Sequence, residues 1–137
     1  MTTPLTKQSD LTTNNYKRVR VVALNDQIQE DITLLIEGTI INCFISYCPY
    51  QIEVGKFYDV ELTINIPEDY VLERAEPSSV LAEKIDPGYS YILYGELCDE
   101  RLLTFTSLSD EGIHYDHPEL NGSFVKLTVE RIDASFQ

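Results

Sequence analysis

Val125-Lys-Leu-Thr-Val129-Glu-Arg-Ile132-Asp-Ala134-Ser-Phe136 reads as two strands laid end to end. Val125, Leu127 and Val129 share one parity, with Lys126 and Thr128 between them, which is the alternation of a half-buried strand. The apolar set then becomes Ile132, Ala134 and Phe136, one position out of step. Side chains on a strand repeat every two residues, so a slip of one turns the whole apolar set to the opposite face. Either a bulge lies at Glu130-Arg131, or the chain leaves one sheet there and enters another.

Working outward, the same period recurs. Tyr58, Val60, Leu62, Ile64 and Ile66 alternate with Asp59, Glu61, Thr63 and Asn65, and Pro67 closes the run. Val19, Val21 and Ala23 form a shorter run before an Asn25-Asp26 turn. Ile32 to Tyr47 carries apolar residues on both parities and is rich in β-branched side chains. It reads as one long strand covered on both faces and bent at Gly38. A strand from Tyr89 to about Leu97 turns at Asp99-Glu100 and returns as Arg101–Leu108. Ile113-His114-Tyr115 reads as a brief strand between turns. Residues 68–86 fit two short helical pieces or an acidic loop equally well, since acids in a first turn suit the helix dipole.

Strands follow strands without long helices between them, which excludes a doubly wound α/β fold. The expected class is all-β: a mainly antiparallel β-sandwich or small β-barrel of seven to eight strands, with at most one or two short helices. Residues 1–15 are Thr-, Asn- and Ser-rich and read as a flexible N-terminal arm; residues 16–137 read as a single β domain.

The charge narrows the choice of partner. Ten Lys and Arg face 23 Asp and Glu, a formal −13. Residues 1–25 hold a local +3 from Lys7, Lys17, Arg18 and Arg20 against Asp10, which leaves −16 on the remainder. Direct binding to nucleic acid or an anionic membrane is disfavoured, because each phosphate contact needs a cation to replace its counterions. A basic partner is favoured. The first residues contain no apolar core of a signal peptide, and no run approaches the roughly 20 apolar residues of a membrane helix. Cys43, Cys48 and Cys98 are odd in number and irregular in spacing, the usage of a reduced cytoplasmic protein.

Sequence signals for catalysis are sparse. His114-Tyr-Asp-His117-Pro-Glu119 holds two imidazoles and two carboxylates, but one segment supplies them all, and a strand would point the two histidines apart. A charged surface turn explains the cluster more simply, and no metal or other cofactor is expected. Asp99-Glu100 and Asp110-Glu111 are paired acids in turns, without the shielding that acid–base work requires. Nothing resembles a nucleophile elbow or a phosphate loop, so a non-enzyme is expected. Most of the nine tyrosines suit half-buried strand positions; Tyr50, Tyr70 and Tyr115 fall in turns and have no strand to serve.

Ile41-Asn-Cys-Phe-Ile-Ser-Tyr-Cys-Pro-Tyr50, Ile52-Glu-Val-Gly-Lys-Phe-Tyr-Asp-Val-Glu-Leu62, Gly112-Ile-His-Tyr-Asp-His-Pro-Glu-Leu-Asn121 and Val125–Asp133 together resemble small acidic bacterial immunity proteins of contact-dependent and other polymorphic toxin systems. The resemblance covers residues 32–136. It implies a cytoplasmic protein that binds a cognate toxin domain, often a basic nuclease, and neutralises it; it transfers no site residues. The acidic charge points the same way, since an acidic inhibitor can mimic a phosphate array and is steered to its target.

The surface expected to bind such a partner comprises Glu68, Asp69, Tyr70, Glu73, Glu76, Asp99, Glu100, Asp110, Glu111, Tyr115, Asp116 and Glu119, with Tyr70 and Tyr115 as aromatic anchors. Two alternatives from other classes stand beside it. One is a small-molecule-binding or complex-subunit β domain without catalytic activity; the other is a metal-dependent enzyme around His114 and His117.

Overall fold

A computed structural model describes residues 15–137. Strands account for 55% of the described residues and helix for 6%, which places the fold in the all-β class. Five strands close a barrel: β1 (Tyr16–Leu24), β2 (Asp31–Ile36), β3 (Thr39–Tyr47), β4 (Phe57–Asn65) and, from the far end of the sequence, β11 (Arg131–Phe136). Their order around the barrel is β1-β2-β3-β11-β4. Every neighbouring pair is antiparallel except β3 and β11, which run parallel. This order with its one parallel pair is that of an OB-type barrel. Alternate residues fill the interior, among them Val19, Ile32, Leu34, Ile41, Val60, Leu62, Ile132 and Phe136, all 1% exposed or less.

The remaining strands are inserted between β4 and β11. They are β5 (Leu72–Arg74), β6 (Ala82–Ile85), β7 (Ser90–Cys98), β8 (Arg101–Leu103), β9 (Ser107–Ser109) and β10 (Phe124–Val129). The helix α1 (Glu111–Asp116) and a 3-10 turn at Pro118–Leu120 precede β10. The second sheet runs β5-β10-β7-β8-β9, and β6 shares one edge of β7 with β8.

The parity slip at Glu130-Arg131 is a change of sheet. β10 buries Val125, Leu127 and Val129 in the second sheet, and β11 buries Ile132, Ala134 and Phe136 in the barrel. Glu130 lies between them and donates its N–H to the Asn65 carbonyl at 2.7 Å.

Several expectations are corrected. Ile32–Tyr47 is a hairpin, not one bent strand. Glu37 (φ 47°) and Gly38 (φ 86°) form the two-residue turn, and Ile36 pairs with Thr39. A two-residue loop with both φ angles positive matches the right-handed twist of its strands. Crossing it moves the buried set from Ile32, Leu34 and Ile36 to Ile41 and Cys43, so both parities are apolar without both faces being covered. Within residues 68–86, neither a helix nor a plain loop forms; β5 and β6 are short strands recruited by β10 and β7. Arg101–Leu108 is broken by a turn into β8 and β9, which pair with each other. Ile113-His114-Tyr115 lies in α1, not in a strand. These splits raise the count to eleven strands among the described residues, against the seven or eight expected. The two helical pieces match the expected number but lie after β9. Of the N-terminal arm, residues 1–14 fall outside the described residues. Asn15 is tied down: its amide exchanges hydrogen bonds with the Ser109 backbone at 3.2 and 2.6 Å.

One hydrophobic cluster runs through barrel and insert, and polar contacts lock them together. The Tyr91 hydroxyl accepts the Asn42 N–H at 2.8 Å, and the Asn42 amide donates to Asp31 at 2.6 Å. Within the barrel itself, the Arg131 guanidinium on β11 lies 4.2 Å from the centre of the Phe44 ring on β3, and its Nε donates to Asp133 at 2.7 Å. On another side the Thr106 hydroxyl donates to Glu37. Near that carboxylate Lys17 is half-buried, and the loss of solvent lowers its pKa against the opposing pull of Glu37. Among the described residues no helix is long and apolar enough to cross a membrane.

Candidate functional site

Of the twelve residues expected to form a binding surface, those in three separate segments are drawn together at one end of the second sheet. The meeting point is the stretch from Asp116 to Ser123, where α1 ends and the 3-10 turn leads into β10. Asp110 caps α1: its carboxylate accepts the Ile113 N–H at 3.2 Å, satisfying one of the N–H groups a helix start leaves open. Ile113, 1% exposed, pins the helix to the core.

The segment before β5 reaches this hub through two side chains. Tyr70 donates its hydroxyl to Asp116 Oδ2 at 2.8 Å and sets its ring edge-on to His117 at 5.6 Å. Arg74 donates to Ser123 Oγ at 3.1 Å and to the Glu119 carbonyl at 3.4 Å. From the other side comes the β7–β8 turn. Asn121 accepts the Asp99 N–H at 2.7 Å and donates to the Asp99 carboxylate at 3.4 Å. Asp110 N–H donates to the Glu100 carbonyl at 2.8 Å, which ties the start of α1 to the same turn.

Acids line each of the joined segments. Glu68, Asp69, Glu73, Glu76, Asp99, Glu100, Asp116 and Glu119 are all exposed, and Asp110 is half-buried by its capping role. Glu111 is placed at the first residue of α1. Arg101 follows the Asp99-Glu100 turn, and three further basic side chains lie among the acids. Arg74 spends its guanidinium on a hydroxyl and a carbonyl; Lys126 sits opposite Glu73 across the β5–β10 ladder; His117 Nδ1 is 3.6 Å from Glu119. Among the described residues, no three of His, Cys, Asp and Glu converge as a metal site.

The two expected anchors differ in role. Burial first, then the hydrogen bond to Asp116, push the Tyr70 phenol far above its ordinary range, so it stays a neutral donor holding the loop to the hub. Tyr115, on α1, is 85% exposed, the most open of the large apolar side chains described. Tyr50 lies in the connection between β3 and β4, where its ring stacks on Tyr58 at 5.9 Å. Sequence reasoning missed Arg74, Asn121 and Ser123, which help assemble the site, and read His117 only as part of a charged turn or a metal ligand. Asn121-Gly122 has the composition of a turn, and Gly122 takes φ 83°, but only the fold reveals which turn Asn121 clasps.

The chain belongs to the family described as uncharacterised conserved protein UCP019853, which matches it over residues 15–137. No curated protein matches the chain.

Proposed function

For this member of the family we propose a non-catalytic binding protein of the immunity type, which captures a basic protein domain through the acidic end of its second sheet. The observation that carries the proposal is the convergence just described. Hydrogen bonds between positions 46 and 22 residues apart gather three acidic segments around an exposed aromatic side chain. Scattered acids only keep a small domain soluble. Acids gathered at one end, on a chain of net charge −13, focus a field that steers a cationic partner and accelerates association. Tyr115 supplies contact area at low entropic cost, the usual chemistry of an interface anchor. The finer form of the proposal takes the partner to be a toxin domain, neutralised in the cytoplasm; the acidic surface and the resemblance of residues 32–136 support it.

The test is cross-linking in the native cells with mass spectrometry of the captured partner, followed by calorimetry with that purified partner. The proposal requires a basic protein whose affinity falls steeply with added salt. It also requires Glu68→Ser/Glu76→Ser, Glu100→Ser/Glu119→Ser and Tyr115→Ala each to weaken binding, Tyr115→Ala by about tenfold or more, which is about 1.4 kcal/mol. A captured partner that binds all three variants like wild type, with no dependence on salt, overturns it. So does the absence of any basic partner.

A further inference from the structure

The outer face of β1 and β4 differs from the rest of this acidic chain. Alternation turns Val19 and Val21 of β1 into the barrel and Arg18 and Arg20 out; on β4 it turns Val60 in and Phe57 and Asp59 out. The ladder sets Arg20 opposite Phe57 and Arg18 opposite Asp59. The Arg20 guanidinium lies 5.9 Å from the centre of the Phe57 ring, and Arg18 Nη1 is 3.2 Å from Asp59 Oδ1. Arg20 also pairs with Leu35, and Leu35 with Ile40, so one row crosses four strands as Phe57, Arg20, Leu35 and Ile40. Phe57 is 56% exposed and Ile40 61%, and Val22, two residues along β1 from Arg20, is 38% exposed. Apolar side chains joined in one open patch, rather than scattered singly, mark a contact surface.

We infer that this face is the two-fold interface of a homodimer. The patch is complementary to itself: β1 supplies the two arginines, and β4 supplies the carboxylate and the ring. A two-fold axis running parallel to the strands, between β1 and β4, lays β1 of each copy over β4 of the other and keeps their rows level. Arg18 then faces Asp59 of the second copy, and Arg20 faces its Phe57, each contact being made twice. Charge also favours this face over others. Two chains of net charge −13 repel each other, but here Arg18, Arg20 and Lys56 outnumber Asp59 and the half-buried Glu61, so repulsion on approach is least. An acidic partner would meet the arginines but set like charge against Asp59, whereas a second copy offers each side chain its complement. None of the residues in the acidic segments of the insert lies on β1 or β4, so each dimer presents that acidic surface twice.

The test is sedimentation equilibrium of the wild type and of two charge reversals, Arg18→Asp and Asp59→Arg. The wild type should be dimeric at submillimolar concentration. Each reversal sets like charges face to face across the axis and should be monomeric alone. An equimolar mixture of the two should recover the dimer, because each variant then meets the charge that its own kind lacks. Both reversals break the Arg18–Asp59 pair within the chain, so its loss cannot explain a recovery on mixing. Both side chains are 63% exposed, so the thermal midpoints should stay close to wild type. Phe57→Ser should weaken the dimer about tenfold or more, a change of about 1.4 kcal/mol. A wild type that is monomeric at millimolar concentration, a dimer that survives either reversal, or a mixture of folded variants that stays monomeric overturns the inference. So does a monomeric wild type whose β1 and β4 resonances move on adding polyglutamate, which would assign the face to an acidic partner. The reversals leave the acidic segments unchanged, so failure here is separable from failure of the proposed function.

Discussion

Replacing Gly95 by Ala puts a methyl group where the fold leaves no room. Gly95 sits mid-way along β7, where the partner strand on one edge changes from β6 to β8. A Cβ built there would lie 2.2 Å from the Leu103 carbonyl oxygen, 2.7 Å from its carbon and 2.9 Å from Thr104 Cα. All three are backbone atoms, so no rotamer change relieves the contact. Reaching an ordinary C···O separation of roughly 3.4 Å requires β8 to retreat by about 1 Å. Such overpacking costs roughly 1–3 kcal/mol. Stretching the short β7–β8 ladder forfeits a further ~1 kcal/mol or so per weakened hydrogen bond. A loss of about 3–4 kcal/mol follows, equivalent to roughly 10 °C or more in thermal midpoint for a chain of this size.

Gly38→Ala is the matched control. Its φ of +86° strains an L residue, but nothing lies within 4 Å of the new methyl, so the cost is about 1 kcal/mol. Urea unfolding of the three proteins, fitted with a common slope, measures both effects. The reasoning fails if Gly95→Ala stays within about 0.5 kcal/mol of wild type, the range of neutral surface changes. It fails equally if Gly95→Ala is no worse than Gly38→Ala. Because the β7–β8 turn carries Asp99 and Glu100, the folded fraction of the variant should also show altered resonances at Asn121.

Two further outcomes are expected. Arg131→Ala should lower stability by about 2–4 kcal/mol in urea unfolding, because it uncovers Phe44 and leaves the carboxylate of Asp133, 9% exposed, without its cation; the added change Asp133→Asn should recover part of the loss, and no recovery would place the cost in packing alone. On the alkaline side, burial raises the Cys43 thiol, and burial with Asp116 raises the Tyr70 phenol. The stability that such groups contribute is complete below their unfolded values, near 8.5 and 10, and is lost as pH rises beyond them. The urea midpoint should therefore fall from about pH 8.5 upward, and Tyr70→Phe should flatten the part above about pH 10; a midpoint level to pH 11 would contradict both assignments.

What the sequence disclosed was set by how local each signal is. The alternation from Tyr58 to Ile66 and the slip at Glu130-Arg131 are written in consecutive side chains, and both structures follow directly. Glu37-Gly38 was harder, because the first turn position holds Glu where Asn or Asp would have marked a hairpin. With that signal missing, two apolar strands of opposite parity looked like one strand covered on both faces. β5 and β6 are three and four residues long and exist only because β10 and β7 offer them an edge, so nothing in their own residues announces them. The site divides in the same way. Its acids were legible as acids in turns, but their convergence depends on Tyr70, Arg74 and Asn121 reaching across the fold, and hydrogen-bond partners so distant leave no periodicity to read.

The order in which the chain is made gives the barrel a further consequence. β1 to β4 emerge first and can pair as a four-stranded sheet in the order β3-β2-β1-β4, which leaves β3 and β4 as raw edges. The strand that fills the gap between them, β11, begins at Arg131, whereas β4 ends at Asn65. At roughly 5–20 residues per second, the ribosome takes on the order of 3 to 13 s to cross that interval. Throughout it the nascent sheet presents two unpaired edges to any neighbouring chain, the state most open to edge-to-edge aggregation. A message truncated anywhere within the insert would release the protein in that state. Chaperone occupancy on ribosomes translating this message should therefore begin soon after β4 leaves the exit tunnel and persist until Phe136 is released from it.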